Sequence, residues 1–410
     1  MPLWTTLALA ALIGCSVVVM AYWGVILAHI ALTARQIPTA RAGLRSGGGG
    51  APRVLVVVPA HNEEAVIGGL AESLAAQDYP RDRLRLLFAL DRCTDRTKEI
   101  VERTFAGDGR VEVIEIASCP EGWSGKVHAM CSALQRSAAR PWADLLLFAD
   151  ADTIFDPACV RATAALMQER GLDLLSLLST QRTKTWFEWV VQPAVCLELI
   201  RQYPIRKANS QRKRRPFANG QFMLFRREAY ERIGGHESVK EQIFEDVHIA
   251  RVADRNGLNI GVVLADGLLH CRMYRDWASF RRGWKRIFSE AANLKLSRLR
   301  RASWRLRLVG AVLPISAAAG AAWGWSLWRG GESEGAPLAA AAMIAGIAAL
   351  AVYAASIVGV LRAARTPLAA GVFFPIGAWM TAEILGDAAA DLAARRPTVW
   401  AGRAYERAAR

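Results

Sequence analysis

Leu145-Leu146-Leu147-Phe148-Ala149-Asp150-Ala151-Asp152-Thr153 is the stretch from which the rest of the chain can be read. Five apolar residues end abruptly in two carboxylates separated by one alanine. An apolar run this short, bounded by charge, has the pattern of a buried strand in a parallel sheet. Ligands of open α/β sheets bind at the carboxyl ends of the strands, so Asp150 and Asp152 stand where a ligand would. Carboxylates two residues apart share one face of an extended chain, and a bend can aim both at one ion. Hard cations such as Mg²⁺ or Mn²⁺ take one or two protein carboxylates together with substrate phosphates. An acidic turn after a strand is the plain alternative.

Outward from this stretch the same texture repeats. Val54 to Val58 is a continuous apolar run followed by Pro59-Ala60-His61-Asn62-Glu63-Glu64. Leu84 to Leu90 ends in Asp91, and Val111 to Ile116 is a third strand. Helical segments intervene, to about Ala76, over Thr94 to Phe105 and over Lys126 to Ala138. Strands alternating with helices of this length predict βαβ units and a parallel sheet. Glu63, Asp91, Asp150 and Asp152 then recur at one edge of it. A buried carboxylate is costly without a partner, so a site explains them better than structure does. In Pro120-Glu121-Gly122-Trp123-Ser124-Gly125-Lys126 the lysine at a helix start can aim its charge at a phosphate. The GxxxxGK[ST] spacing of a P-loop is missing.

Further on, Leu172 to Leu178 and Ala218 to Phe225 are buried strands, and Gly234-Gly235-His236-Glu237 is a turn. Trp186 to Tyr203, with an internal Pro193, is an aromatic helix suited to a core or to a membrane interface. The basic run Arg206, Lys207, Arg212, Lys213, Arg214, Arg215 suits a solvated loop or anionic lipid headgroups. Glu245-Asp246 opens a helix that stops at Asn256-Gly257. Acidic residues favour a first turn in any case; the functional alternative is a general base.

The ends are of another kind. Of 410 residues 53% are hydrophobic, which implies a membrane part, and the net charge of +15 fits an anionic surface, an acidic substrate or nucleic acid. No helix-turn-helix, zinc finger or RNP motif supports nucleic acid. The seven cysteines are scattered without a CxxC pair, which fits a reducing compartment and excludes a disulfide framework. Trp4 to Leu32 exceeds the roughly 20 residues that a spanning helix needs. Arg35, Arg41 and Arg45 follow it, which puts the next segment inside. The expected organisation is an anchor over 1–34, a Gly47–Gly50 linker and an α/β domain over 52–272. Amphipathic basic helices over 273–306, membrane segments over 307–392 and a basic tail over 393–410 complete it. Leu308 to Trp328 and Pro337 to Leu361 span, with the short loop between them outside. Pro367 to Gly386 is interrupted near Pro375 and Gly377, and Glu383, Asp387 and Asp391 line one helix face at a cost in lipid. That segment is therefore expected to bend back or to lie at the inner interface, with Trp400, Arg403 and Tyr405 near the catalytic domain; an ordinary fourth span ending near Gly386, with an external tail, is the alternative.

With these pieces in place, residues 52–290 resemble membrane-bound family 2 glycosyltransferases of the GT-A fold. The resemblance rests on Val57-Val58-Pro59-Ala60-His61-Asn62-Glu63-Glu64, Asp91-Arg92-Cys93-Thr94-Asp95, Asp150-Ala151-Asp152 and Glu245-Asp246. Gly122 to Lys126, Ala218-Asn219-Gly220-Gln221-Phe222 and Trp400 to Tyr405 are similar to the branch of ceramide glucosyltransferases, hopanoid-associated transferases and carotenoid glycosyltransferases. It implies a mixed, mostly parallel sheet with helices on both faces and transmembrane helices at both ends. It implies inverting transfer of one sugar from a nucleotide-diphosphate sugar, UDP-linked, to a membrane lipid hydroxyl. Asp246, with Glu245, would be the base. Pro59, Ala60, His61, Glu63, Asp91, Lys126 and Asp150 would hold the donor, joined by Arg281 and Trp284 of Arg281-Arg282-Gly283-Trp284-Lys285. Asp152 and Asp150 would hold Mg²⁺ or Mn²⁺. The partners would be the donor, a lipid acceptor and anionic lipids, not nucleic acid. The place would be the inner cell membrane, multi-pass, with a cytoplasmic catalytic domain. The usual second-strand acid pair is here Leu90-Asp91, and the QxxRW motif of processive synthases is absent. A processive polysaccharide synthase of this fold and a non-catalytic basic binding protein are the alternatives.

Overall fold

A computed structural model describes residues 1–46, 50–211, 214–330, 335–396, 398–400 and 403–405, the last two stretches by backbone alone. Most of the Gly47–Gly50 linker, Arg212 and Lys213 of the basic run, and residues 331–334 of the loop between the spans lie outside the described residues. So do the side chains of Trp400, Arg403 and Tyr405. The chain forms two compact units. One comprises Gln36–Arg182 and Tyr203–Met273; the other comprises Met1–Arg35, Thr183–Gln202 and Tyr274–Arg410.

The chain opens with α1 (Leu3–Gln36), β1 (Val54–Ala60), α2 (Ile67–Ala75), β2 (Leu84–Asp91), α3 (Thr97–Thr104) and β3 (Val111–Ile116). It continues through α4 (Gly125–Arg136), β4 (Leu145–Phe148), β5 (Thr153–Phe155), α5 (Cys159–Glu169), β6 (Leu174–Leu178) and β7 (Thr180–Gln181). Then come α6 (Trp186–Val190), α7 (Gln192–Gln202), α8 (Ile205–Ala208), β8 (Met223–Arg226), α9 (Arg227–Arg232) and α10 (Glu245–Arg255). After β9 (Ile260–Leu264) and β10 (Leu269–Cys271) the chain is helical. Its helices are α11 (Trp277–Ala291), α12 (Leu296–Arg307), α13 (Leu313–Arg329), α14 (Ala336–Ala364) and α15 (Phe374–Ala393), before a hairpin of β11 (Thr398–Trp400) and β12 (Arg403–Tyr405).

In the first unit a seven-stranded sheet has the order β3-β2-β1-β4-β8-β6-β9. The sheet is mixed: β1 pairs in parallel with β2 and β4, while β8 runs antiparallel to both β4 and β6. Every residue of β1 is buried, which is why its sequence is apolar without alternation. β3 lies at the edge and carries Glu112 and Glu115 between its apolar residues. Chain order reverses between β1 and β4, so the ends of β1, β2 and β4 form the crevice in which such sheets bind ligands. The sequence pattern did not anticipate β5, β7, β9 and β10. Three of these make a second sheet, β5-β10-β7, whose pairing sets Cys271 opposite Thr153.

Among the described residues four helices are long and apolar enough to cross a membrane: Leu3–Arg45, Leu296–Arg329, Ala336–Ala364 and Leu368–Ala393. The first of these, named with its short extension, is mainly α1, whose buried residues Leu9, Ser16, Val19 and Trp23 recur on one stripe. α12 and α13 are joined by a π-helical turn, Leu308–Val312. Two carbonyls in that turn are taken by side chains, Val309 O by Trp23 Nε1 at 2.8 Å and Gly310 O by the Tyr353 hydroxyl at 3.1 Å. Ser356 Oγ donates to Trp23 O at 2.9 Å. α13 and α14 pack so closely that a Cβ on Gly346 would lie 2.5 Å from Ala317 O. Small residues permit such contacts between membrane helices.

Two expectations need correction here. Trp186–Tyr203 is two helices, because Pro193 belongs to a first turn rather than an interior, and Thr185 with Glu188 makes a separate capping box for α6. The interruption near Pro375 is likewise a helix start. A 3₁₀ turn, Leu368–Phe373, leads into an unbroken α15 with Pro375 in its first turn. Two of the three acids on α15 are paired: Asp387 with Arg281 and Asp391 with Lys285, one turn apart on each helix, while Glu383 is exposed.

Candidate active site

The turn after β4 carries Asp150 and Asp152. Thr153 Oγ1 donates to Asp150 O at 2.7 Å and closes this turn immediately beyond the buried strand. The sequence can make such a turn because Phe148 anchors the strand from behind. Its ring stands 4.4 Å from that of His236, which is fully buried with its pKa pushed down to about 3, first by burial and then by Lys126.

Lys126, in the first turn of α4, reaches into the same place. Its Nζ lies 2.6 Å from Asp150 Oδ1 and 2.5 Å from Glu245 Oε1. Burial would lower its pKa, but the Asp150 and Glu245 carboxylates outweigh that and raise it, so it is a fixed cation. Glu245 and Asp246 open α10. Gly220 N–H donates to Asp246 Oδ2 at 2.9 Å and Val247 N–H donates to Oδ1 at 2.7 Å, which fix the carboxylate plane. The Gly220 loop is itself pinned. Asn219 N–H donates to Ser176 Oγ at 2.8 Å, and Asn219 Nδ2 donates to Leu177 O at 2.9 Å. A Cβ on Gly220 would stand 3.2 Å from Lys126 Nζ and 3.4 Å from both Asp246 Oδ2 and Glu245 Oε1. Glycine is what lets the three groups converge.

Lys126 thus pairs with two carboxylates, Asp150 and Glu245, and its charge also reaches Asp152 and Asp246. Burial, more than Lys126 can offset, pushes Glu245 up to about 7. Burial and the charge of Asp150 push Asp152 up to about 6. Asp246 is raised too, by burial against the lowering by Lys126 and its two N–H donors. Asp152 Oδ1 is shielded from solvent and has no hydrogen-bond partner among the described residues. The carboxylate also meets the Cys271 thiol, to which Gln221 Nε2 donates at 3.0 Å.

These residues fit a divalent cation. An orphaned carboxylate oxygen beside a second acid is the donor set that a hard ion completes. Among the described residues no group of three or more His, Cys, Asp or Glu could hold a metal alone. The fit is therefore to an ion shared with ligand phosphates.

The ends of β1 and β2 line up beside this cluster. β1 carries Pro59 and Ala60, and His61 Nδ1 lies 2.5 Å from Asp91 O, tying the two strand ends together. Glu63 N–H donates to Thr97 Oγ1 at 2.8 Å. Asp91 is 4% exposed, and both its oxygens accept from Arg92, at 2.8 and 2.7 Å. That pairing was not foreseen, although the two residues adjoin. Gly220, Gln221, Cys271 and His236 were also missed as site residues. The expectation also adds Arg281 and Trp284 to the donor residues. They belong to the membrane unit, where Arg281 is engaged by Asp387 and Trp284 is 2% exposed.

The family described as "Glycosyltransferase like family 2" matches residues 52–283. The Bacillus subtilis (strain 168) protein "Probable glycosyltransferase YdaM" is 32% identical over 124 residues, 30% of this chain and 27% of that one. The 4,4'-diaponeurosporenoate glycosyltransferase of Staphylococcus aureus (strain MRSA252) is 26% identical over 243 residues, 58% of this chain and 61% of that one. The chain thus spans between about a quarter and three fifths of these relatives. Among solved structures, the mannosyltransferase PcManGT from Pyrobaculum calidifontis, in complex with GDP-Man and Mn²⁺, is 19% identical with a TM-score of 0.47. It covers 93% of this chain and 98% of that one. With more than half its length matched, this chain belongs to the family 2 glycosyltransferases.

Proposed function

We propose that the chain transfers a single sugar, with inversion, from a UDP-linked sugar to the hydroxyl of a membrane lipid. The observation that carries this is the charge imbalance where the turn after β4 meets the start of α10: four acids, one fixed lysine and an Asp152 oxygen with no partner among the described residues. In this reading Asp246 takes the acceptor's hydroxyl proton. Its plane is set by the Gly220 and Val247 N–H groups, and its raised pKa brings its basicity closer to the task. The acceptor oxygen bonds to the anomeric carbon as the bond to the diphosphate breaks, and the diphosphate leaves with the electron pair. Lys126 sets its positive charge against that leaving group. Asp91 and Glu63 meet the nucleoside, with Arg92 orienting Asp91. Mg²⁺ or Mn²⁺, held by Asp152 with Asp150 and the donor phosphates, would supply charge neutralisation at the diphosphate.

A lipid acceptor is supported by the four long apolar helices and by the carotenoid-acid transferase among the relatives. In the proposed topology the sheet unit is cytoplasmic, with Arg35 in the last turn of α1 and Arg41 and Arg45 just after it. Incubating the full chain with a panel of nucleotide sugars and a lipid extract, read by mass spectrometry, tests the proposal. One sugar added to a lipid is the expected product. A long polymer would point to processive synthesis, and no transfer or hydrolysis from any donor would overturn the reading.

A further inference from the structure

Arg307 closes α12 at the point where the sequence turns from basic to apolar. Along this outward face Arg300 and Arg301 are exposed, Trp304 is 62% exposed, and Leu308, Val312 and Ile315 follow at 45%, 40% and 61%. The face therefore passes from headgroup chemistry to acyl-chain chemistry within a few turns. Arg307 sits at the changeover. Its guanidinium carbon is 5.6 Å from the Trp304 ring and 5.4 Å from the ring of Trp379 on α15, which is 42% exposed. Two indoles thus flank one cation, and Trp is the residue that settles at the polar edge of a bilayer. Across the helix pair Gly386 leaves room for the fork, with Arg307 Nη2 4.0 Å from where a Cβ would be.

Other cations of this unit have acids: Arg281 and Lys285 on α11 have Asp387 and Asp391 on α15, and Arg305 has Glu198 on α7. Arg307 Nε, although shielded, has no hydrogen-bond partner among the described residues. The acid on the neighbouring ridge is Glu383, exposed one turn beyond Trp379. A guanidinium held in a fixed plane, with donors to spare, matches the oxygens of a phosphate.

We propose that Arg307, Trp304 and Trp379 form a binding site for the phosphodiester of an anionic membrane lipid. The lipid's acyl chains lie along Leu308, Val312 and Ile315. This site is independent of sugar transfer.

The test uses the full chain in neutral detergent, titrated with phosphatidylglycerol or phosphatidylcholine and read by native mass spectrometry. One phosphatidylglycerol is expected to stay bound where phosphatidylcholine is lost. Arg307→Gln should weaken it about tenfold, the scale of losing charge-assisted hydrogen bonds. Arg307→Lys, which keeps the charge and the stacking but not the fork, should fall between, and it carries the test should the glutamine variant not fold. Arg300→Gln with Arg301→Gln should leave affinity within about twofold, as for exposed charges. Equal affinity in the wild-type chain and both Arg307 variants would overturn the proposal. So would an equal loss in the Arg300/Arg301 pair, or displacement of the lipid by inorganic phosphate at the lipid's own concentration.

Discussion

Two groups of ionised side chains in this molecule look alike in sequence and differ in kind. Between α11 and α15 the cations Arg281 and Lys285 each meet an acid, Asp387 and Asp391, the latter also paired with Arg396. At the ends of the sheet Lys126 alone serves Asp150 and Glu245, with Asp246 and Asp152 beside them. A balanced set has met its needs within the chain and holds two helices together. An unbalanced set, with two acids pushed up to about 6 and 7, is poised for an outside cation and for a proton. The excess, rather than the mere presence of charge, marks the site.

The sharpest way to break that distinction is at the base. Asp246→Asn keeps the size but only one of the two N–H contacts, since its amide nitrogen donates rather than accepts, and it cannot take a proton. It should lower the transfer rate by about 10²–10⁴ with donor affinity unchanged. Radiolabelled transfer and equilibrium donor binding in detergent would separate the two, and a native rate would remove Asp246 from the role of base. Next in size, Asp152→Ala should weaken Mn²⁺-dependent binding of UDP by about 10- to 100-fold, the scale seen when metal ligation is disturbed. Calorimetry showing unchanged Mn²⁺-dependent binding would take Asp152 out of the metal site.

The third test concerns pH. Glu245 ordinarily titrates at 4.5 and is raised here to about 7. Between those values the folded chain holds a proton that the unfolded chain has lost. Its contribution is therefore full below pH 4.5 and declines as pH rises towards 7. Glu245→Gln should flatten that part of the profile of melting temperature against pH; an unchanged slope would mean that another group sets it. The smallest effect belongs to the balanced set. A double-mutant cycle on Lys285→Ala and Asp391→Ala should give a coupling of about 1 kcal/mol or less, since both side chains keep contact with solvent. Neither variant should alter transfer. Loss of transfer in both would mean that the two groups of charges are less separate than they look.

The legible parts of the site were those that stand at the end of a strong local pattern. Asp150 and Asp152 interrupt an apolar run, Asp91 ends another, and Glu245-Asp246 is an acid pair at a helix start. Cys271 and Gln221 gave no such signal. Cys271 arrives on a three-residue strand, too short for any period to be seen, and it meets Asp152 only through the pairing of β10 with β5. Gly220 was legible as part of a motif, but its need to be glycine follows from three side chains converging from α4 and α10. Arg281 shows the limit in the other direction. The acid that engages it lies 106 residues further on, and spacing within one segment carries no trace of that. The break assigned near Pro375 was a misplaced boundary. Proline disrupts a helix interior but suits a first turn, and only the chain's path distinguishes the two.

The π-helical turn bears on how the protein is made. Its carbonyl at Val309 is met by Trp23, 286 positions earlier, and Ser356 meets the carbonyl of Trp23 across a separation of 333. A ribosome delivers α1 long before either partner exists. The sheet unit, most of whose partners are closer in sequence, has time to fold while the first membrane helix still waits with its indole N–H unmet. The contacts of α1 within the bundle therefore close only after Val309 and Ser356 have been made, and α1 is a late-locking part of it.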